Sequence, residues 1–326
     1  MKKITTVLKN KKNKRFLISS HQNLEGDAIG SMLALAELLE YLGKKVFLVG
    51  PERIPETYRF LPKINRIRYL NSSNKVIDYD VACIVDCTSL DRLGSISKAI
   101  YLTRPILNID HHISNAHFGS VNWIAPKISC SGEQIYHLFK DMKVPINERA
   151  ALYMYIAILT DTGSFRYSNT TAKTHEIIAE LMQKRIDVTD IYRKIYERAQ
   201  RSHITLLTDV LSTLDISRDG KIAWIKITKS MLKTHKAKLG TTQDFVNFPR
   251  SIDGVKIALA FREIANNTIK VSFRSNERVD VNKLAKKFRG GGHRSASGCT
   301  MKGAIEEVEK AVLNEAKKHL KESKNG

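Results

Sequence analysis

Pro105-Ile106-Leu107-Asn108-Ile109-Asp110-His111-His112 reads as a short apolar strand that ends in three side chains able to bind a metal. Alone, such a triplet decides little. Three other segments place acidic or histidine groups in the same context, just past a strand or at the opening of a helix. His21, Glu25 and Asp27 follow Arg15-Phe16-Leu17-Ile18-Ser19-Ser20, Asp86 follows Val81-Ala82-Cys83-Ile84-Val85, and Asp161 sits in Ile158-Leu159-Thr160-Asp161-Thr162-Gly163. In an open parallel sheet the carboxyl ends of the strands converge on one crevice, so these residues can meet there.

Outward from that stretch, residues 15 to about 166 alternate short apolar runs with helical segments, which predicts a doubly wound, mostly parallel α/β sheet. Ile29, Met32, Leu33, Ala36, Leu39 and Leu42 recur at helical steps, and Gly43 stops that helix before the strand Lys45-Val46-Phe47-Leu48-Val49. Further helices are expected from Ser131, as cap, to Met142, and from about Asn147 to Leu159. Residues 171–214 read as mostly helical, and the later part as a bridge. Strand-like runs at 221–227, 255–261 and 268–273 then precede helices from Val281 and Ala304. The expected organisation is an α/β catalytic domain over 1–200, a helical linker over 201–218, and a smaller α+β substrate-binding domain over 219–326.

Fifty-four Lys and Arg against 33 Asp and Glu give the 326-residue chain a net charge of +21. Such a field draws phosphate-rich ligands, although a lysine-biased proteome accounts for it equally well. The basic stretch from Lys2 to Arg15 lacks acids as a targeting peptide does, but the first strand begins at once, so a solvated N-terminal helix is expected. No apolar run approaches the roughly 20 residues that cross a bilayer, so no membrane partner is expected. Cys83, Cys87, Cys130 and Cys299 form no Cys-x-x-Cys pair, which fits a reducing cytoplasm, with Cys83 and Cys87 as core residues of one strand.

Oxygen and imidazole groups without thiolates suit Mn²⁺, Mg²⁺ or Zn²⁺. Two such ions about 3.5–4 Å apart can activate water on one side and stabilise developing charge on the other, as in-line hydrolysis of phosphate esters requires. The ordered segments His21 to Ser31, Val85-Asp86, Asp110-His111-His112, Thr160 to Gly163, and Gly290-Gly291-Gly292-His293 through Gly298 resemble the motif set of the DHH phosphoesterase family with its DHH-associated C-terminal domain. The resemblance runs from about Arg15 to Gly298 and is nearest to the stand-alone oligoribonucleases that also act on 3′-phosphoadenosine 5′-phosphate (pAp).

It implies that His21, Glu25 and Asp86 hold one Mn²⁺ and that Asp27, Asp86, His111 and Asp161 hold a second, with Asp86 bridging. Asp110 would orient a histidine and His112 would face the substrate. The family's first motif usually carries a shorter Asp where this chain has Glu25. Taken singly, each residue has a plainer reading, such as a helix cap for Asp27. Arg274, Ser275, Gly290, Gly291, Gly292 and His293 would clamp substrate phosphate in the second domain, the glycines by letting backbone N–H groups approach an anion; a turn is the equal alternative for Ser275.

The implied activity is Mn²⁺-dependent hydrolysis of short oligoribonucleotides and pAp, the substrate lying between the two domains. A cyclic di-AMP or pApA phosphodiesterase is the runner-up, an inorganic pyrophosphatase the third reading, and a catalytically dead nucleic-acid-binding protein the alternative from another class. A homodimer stays open. Phe245, Phe248 and Tyr167 suit base stacking or, more commonly, the core.

Overall fold

A computed structural model describes residues 1–70, 77–100, 103–237, 239–276, 279–292 and 294–322. The chain divides into two compact units, residues 1–198 and 199–326.

In the first unit, β1 (Arg15–Ser19), β2 (Lys45–Gly50), β3 (Arg68–Tyr69), β4 (Val81–Val85), β5 (Ile106–Asp110) and β6 (Val121–Ile124) form one parallel sheet in the order 3-2-1-4-5-6. The chain winds outward from β1 to β3 on one side and from β4 to β6 on the other, so its direction reverses between β1 and β4. Ser19 pairs with Ile84 and Val85 with Ile109, which brings the ends of β1, β4 and β5 level. That switch point is where an open α/β sheet leaves a crevice.

Helix α1 (Lys2–Lys9) is amphipathic rather than solvated. It buries Ile4, Thr5 and Leu8, and Thr5 Oγ1 donates to Asp141 Oδ2 at 2.9 Å. α2 (Gly26–Tyr41), α3 (Ser131–Asp141) and α4 (Glu148–Asp161) pack on the sheet with α5 (Ala172–Met182) and α6 (Val188–Tyr196). α2 lies so close to α4 that a Cβ on Gly26 would meet Thr160 Oγ1 at 2.3 Å and one on Gly30 would meet Tyr153 O at 2.4 Å. Glycine at these two positions is what brings the start of α2 against the end of α4. The cap of α3 is Cys130, whose extended backbone lets its Sγ accept from Glu133 N, and the expected cap Ser131 is the first helical residue. Cys87 lies beyond β4 instead of in it, although both Cys83 and Cys87 are buried.

The second unit holds α7 (Arg201–Leu211), β7 (Asp215–Ile216), β8 (Ile222–Ile227), α8 (Lys229–Thr234), α9 (Asn247–Arg250), β9 (Ile257–Ala265), β10 (Thr268–Ser275), α10 (Val281–Lys286), β11 (Gly291–Gly292), β12 (Ala296–Lys302) and α11 (Ile305–Glu322). Its sheet order is 11-12-10-9-8-7, antiparallel except for the β8–β9 pair. One face packs Phe261, Val271 and Phe273 against Val308 and Val312 of α11, and the other packs Ala258 and Ala260 against Leu206 and Val210 of α7. Among the described residues no helix is long and apolar enough to cross a membrane.

The α2–α4 contact carries a titratable tie. Glu37 accepts from Arg149 Nε at 2.9 Å and Nη2 at 3.0 Å, from Asn147 Nδ2 at 3.0 Å and from Lys63 Nζ at 3.3 Å. Burial alone would raise the Glu37 carboxyl, but Arg149 and Asn147 outweigh it and hold it down at about 2. A carboxylate depressed on folding stabilises the fold above its unfolded value near 4.5, and that contribution is lost as pH falls towards 2. Glu37→Gln should therefore cost about 2 kcal/mol in urea unfolding at pH 7, and the gap to wild type should shrink between pH 4.5 and pH 3. A gap independent of pH would assign the loss to packing.

Candidate metal centre

Asp86 is the first residue after β4, and its backbone is left-handed, with φ of 51°. Asp is among the few residues that accept this conformation at modest cost, and strain of this kind persists where surrounding structure enforces it. Here Asp86 N donates to Ile109 O of β5 at 2.9 Å. The twist turns the carboxylate into the crevice, where it is buried. Oδ2 lies 3.2 Å from His21 Nε2; Oδ1 lies 3.6 Å from both His111 Nε2 and His112 Nδ1.

His111, just past β5, aims Nε2 at three carboxylates: Asp86 at 3.6 Å, Asp27 at 3.8 Å and Asp161 at 3.8 Å. None of these spacings is a hydrogen bond. His111 Nε2 and Asp86 Oδ1 are both buried without a hydrogen-bond partner. Two such atoms facing each other in a closed site are costly unless something between them binds both. Ligand atoms about 2.1 Å from one ion stand roughly 3–3.5 Å apart, close to the spacings found. The donors fit a divalent cation.

A second group, His21, Glu25 and Asp86, meets at the same aspartate. His21 Nδ1 is anchored on Gln22 O at 2.5 Å. Glu25 stands at the N-cap of α2 without a side-chain capping bond, its carboxylate 64 % exposed and Oε1 3.9 Å from His21 Nε2. The Glu25 side chain therefore does not cap α2. Asp27 does cap a helix, though not its own. Oδ2 accepts from Ser131 N and Oδ1 from Gly132 N, both at 2.8 Å, at the start of α3, and Ser31 Oγ adds a bond at 2.9 Å.

Proton affinities reflect this crowding. Burial lowers that of His111, but Asp86 and Asp161 hold it up at about 10; His21 is likewise raised, to about 9, against burial by its bond to Asp86. Burial and the charge of Asp86 raise Asp27 well above the carboxylate range, and burial lifts Asp161 to about 6. Asp86, against burial, is held far down by His111 and His21.

Asp110, Asp161 and the second unit's residues fall differently. Asp110 Oδ1 holds His112 Nδ1 at 2.7 Å, placing it behind the histidine. Asp161 is the last residue of α4, neither past a strand nor at a helix start. Arg274 and Ser275 end β10, where Ser275 Oγ donates to Val279 O at 2.6 Å, the turn alternative. Gly291 and Gly292 pair with Gly298 and Ser297, and a Cβ on Gly290 would meet Gly298 O at 2.3 Å. Two of the three glycines therefore make room for β12; only Gly291 opens onto clear space, its nearest neighbour Asn282 Oδ1 at 4.0 Å. His293 lies outside the described residues.

Two asparagines went unread in the sequence. Asn115 Nδ2 donates to Asp110 Oδ2 at 2.6 Å and Asn169 Nδ2 to Asp161 Oδ2 at 3.1 Å, each fixing a site carboxylate from a loop.

The DHH family N-terminal domain matches residues 15–158, and the DHHA1 domain matches residues 225–322. Bifunctional oligoribonuclease and PAP phosphatase NrnA of Thermus thermophilus is 30% identical over 303 residues, 91% of this chain and 89% of that protein. The protein of the same name from Bacillus subtilis is 28% identical, covering 87% and 88%. The crystal structure of an exopolyphosphatase-related protein from Bacteroides fragilis superposes with a TM-score of 0.92 at 30% identity, over 99% of this chain and 97% of that one. Exonuclease RecJ bound to manganese shares the fold, with a TM-score of 0.53 at 13% identity over 95% of this chain and 92% of that one.

Proposed function

This chain belongs to the DHH family and carries its DHHA1 domain, and on that premise we propose that it is a Mn²⁺-dependent phosphoesterase that hydrolyses short oligoribonucleotides and pAp. The observation that carries this reading is Asp86, whose two oxygens face two separate groups of ligands. The NrnA relatives named for both activities support the substrates. The oxygen and imidazole donors support manganese or another hard divalent ion.

His21, Glu25 and Asp86 would hold one ion, and Asp27, Asp86, His111 and Asp161 the other. Ions held there would supply Lewis-acid chemistry, lowering the pKa of a water and offsetting charge on the phosphoryl oxygens. Asn169 and the start of α3 keep Asp161 and Asp27 in position. Asp110 accepts a hydrogen bond from His112 Nδ1–H, which turns Nε2 to the substrate; in the imidazolium form Nε2–H gives its proton to the leaving oxygen and the ring is left neutral. Arg274 and the amide edge at Gly291 bind substrate phosphate in the second unit. The setting is cytoplasmic, in keeping with four buried, unpaired cysteines.

Turnover of a 5′-phosphorylated dinucleotide, pAp and cyclic di-AMP, each with Mn²⁺, Mg²⁺ or chelator, tests the proposal. Hydrolysis of the first two, dependent on metal, is expected. Preference for cyclic di-AMP would move the chain to that substrate, and salt-sensitive binding without turnover would make it a binding protein.

Glu25 gives a separate test. Its longer side chain reaches the first ion from an exposed position, so Glu25→Asp keeps or raises activity at limiting Mn²⁺, whereas Glu25→Ala needs at least about tenfold more Mn²⁺ for half-maximal rate. An unchanged Mn²⁺ dependence in Glu25→Ala would remove Glu25 from the ligands.

A further inference from the structure

Directly after Asp161 the backbone makes a left-handed turn. Gly163, Ser164 and Phe165 have φ of 55°, 59° and 65° in succession. Glycine enters this region freely, but a serine and a phenylalanine do so only where the surroundings impose it, and such strain gathers at functional sites. The turn is firmly tied. Arg166 N and Tyr167 N both donate to Thr162 O at 3.0 Å, Arg166 Nε donates to Gly163 O at 2.7 Å, and Asn169 closes the loop on Asp161.

The consequence is to lay the Tyr167 ring on the glycine, where a Cβ on Gly163 would stand 2.3 Å from Tyr167 Cζ. The ring nevertheless stays 42 % exposed. Ser164 of the same turn lies beside Tyr196 of α6, and Tyr196 lies against Tyr192 with ring centroids 4.9 Å apart and planes tilted by 46°. Both α6 tyrosines are 41 % exposed. Single exposed aromatics are ordinary. One exposed ring on a strained turn that follows a residue of the metal centre, with a pair of exposed rings on α6 whose Tyr196 lies beside that turn, is not explained by the core.

Resting on the functional reading above, we infer that Tyr167, Tyr192 and Tyr196 form a stacking platform for the nucleobase of the nucleotide whose phosphate lies at the metal centre. An exposed aromatic ring accepts any base through its π-face, so the platform favours nucleotides over other phosphate esters while discriminating little among bases. Arg166 adds attraction for the neighbouring phosphate or base. The active end of the molecule thereby recognises the base as well as the phosphate.

The test compares a 5′-phosphorylated dinucleotide with its abasic counterpart. Tyr167→Ala and Tyr192→Ala should each lower the ratio of kcat/KM for the dinucleotide over the abasic compound by about tenfold, a loss within the range of one stacked base. Tyr167→Phe should restore the ratio, since stacking needs the ring and not the hydroxyl. A ratio unchanged in both alanine variants, or one the phenylalanine fails to restore, overturns the platform. Thermal melting shows whether each variant is folded, and Tyr192→Ala, remote from the strained turn, keeps the test open if Tyr167→Ala is not. Wild-type protein that turns over neither compound would instead overturn the functional reading.

Discussion

Asp86→Asn is expected to lower turnover by at least about 10³-fold while leaving the fold intact. The reason lies in geometry and charge together. Oδ2 faces His21 and Oδ1 faces His111 and His112, so one carboxylate serves both groups of ligands. Asparagine keeps the shape but loses the charge that offsets two cations, and its amide nitrogen turns a donor towards one of them. The backbone should not object, because Asn accepts the left-handed conformation at φ of 51° as readily as Asp. Steady-state rates beside a melting curve check both halves of the claim. Activity within a few-fold of wild type would remove the shared ligand from the account.

Asp27→Asn should behave differently, losing activity by about 10²–10³-fold and stability as well. Asp27 is a ligand candidate whose two oxygens also accept from Ser131 N, Gly132 N and Ser31 Oγ. An asparagine NH₂ must face one of these donors, leaving a buried N–H or hydroxyl unpaired at the start of α3. That costs about 1–3 kcal/mol. Thermal unfolding of the two variants side by side separates the roles: a lowered Tm in Asp27→Asn and an unchanged one in Asp86→Asn. A variant at Asp27 as stable as wild type would mean that α3 is held by other contacts.

The parallel sheet and its crevice were legible because strand-end chemistry repeats. Phe16 to Ser19, Val81 to Val85 and Ile106 to Ile109 are buried runs, and His21, Asp86 and His111 follow them at the same edge. Asp161 was read in the wrong element, since it ends α4. The helix expected from about Asn147 to Leu159 runs two residues further, through Thr160 to Asp161, so the acid ends the helix instead of following it. The triple glycine was read as an anion cradle, yet at Gly290 and Gly292 the missing Cβ makes room for β12, a strand whose Ala296-Ser297-Gly298 start carries little β propensity. Asn115 and Asn169 carry no local signal. Their amides find Asp110 and Asp161 through loop tertiary structure, which no spacing encodes.

Calorimetric titration of Mn²⁺ into the metal-free protein and into Asp86→Asn tests the shared-ligand centre most directly. Two ions per wild-type chain, with both sites weakened together in the variant, is the predicted result. One ion per chain, or a variant that still binds two with wild-type affinity, would contradict it.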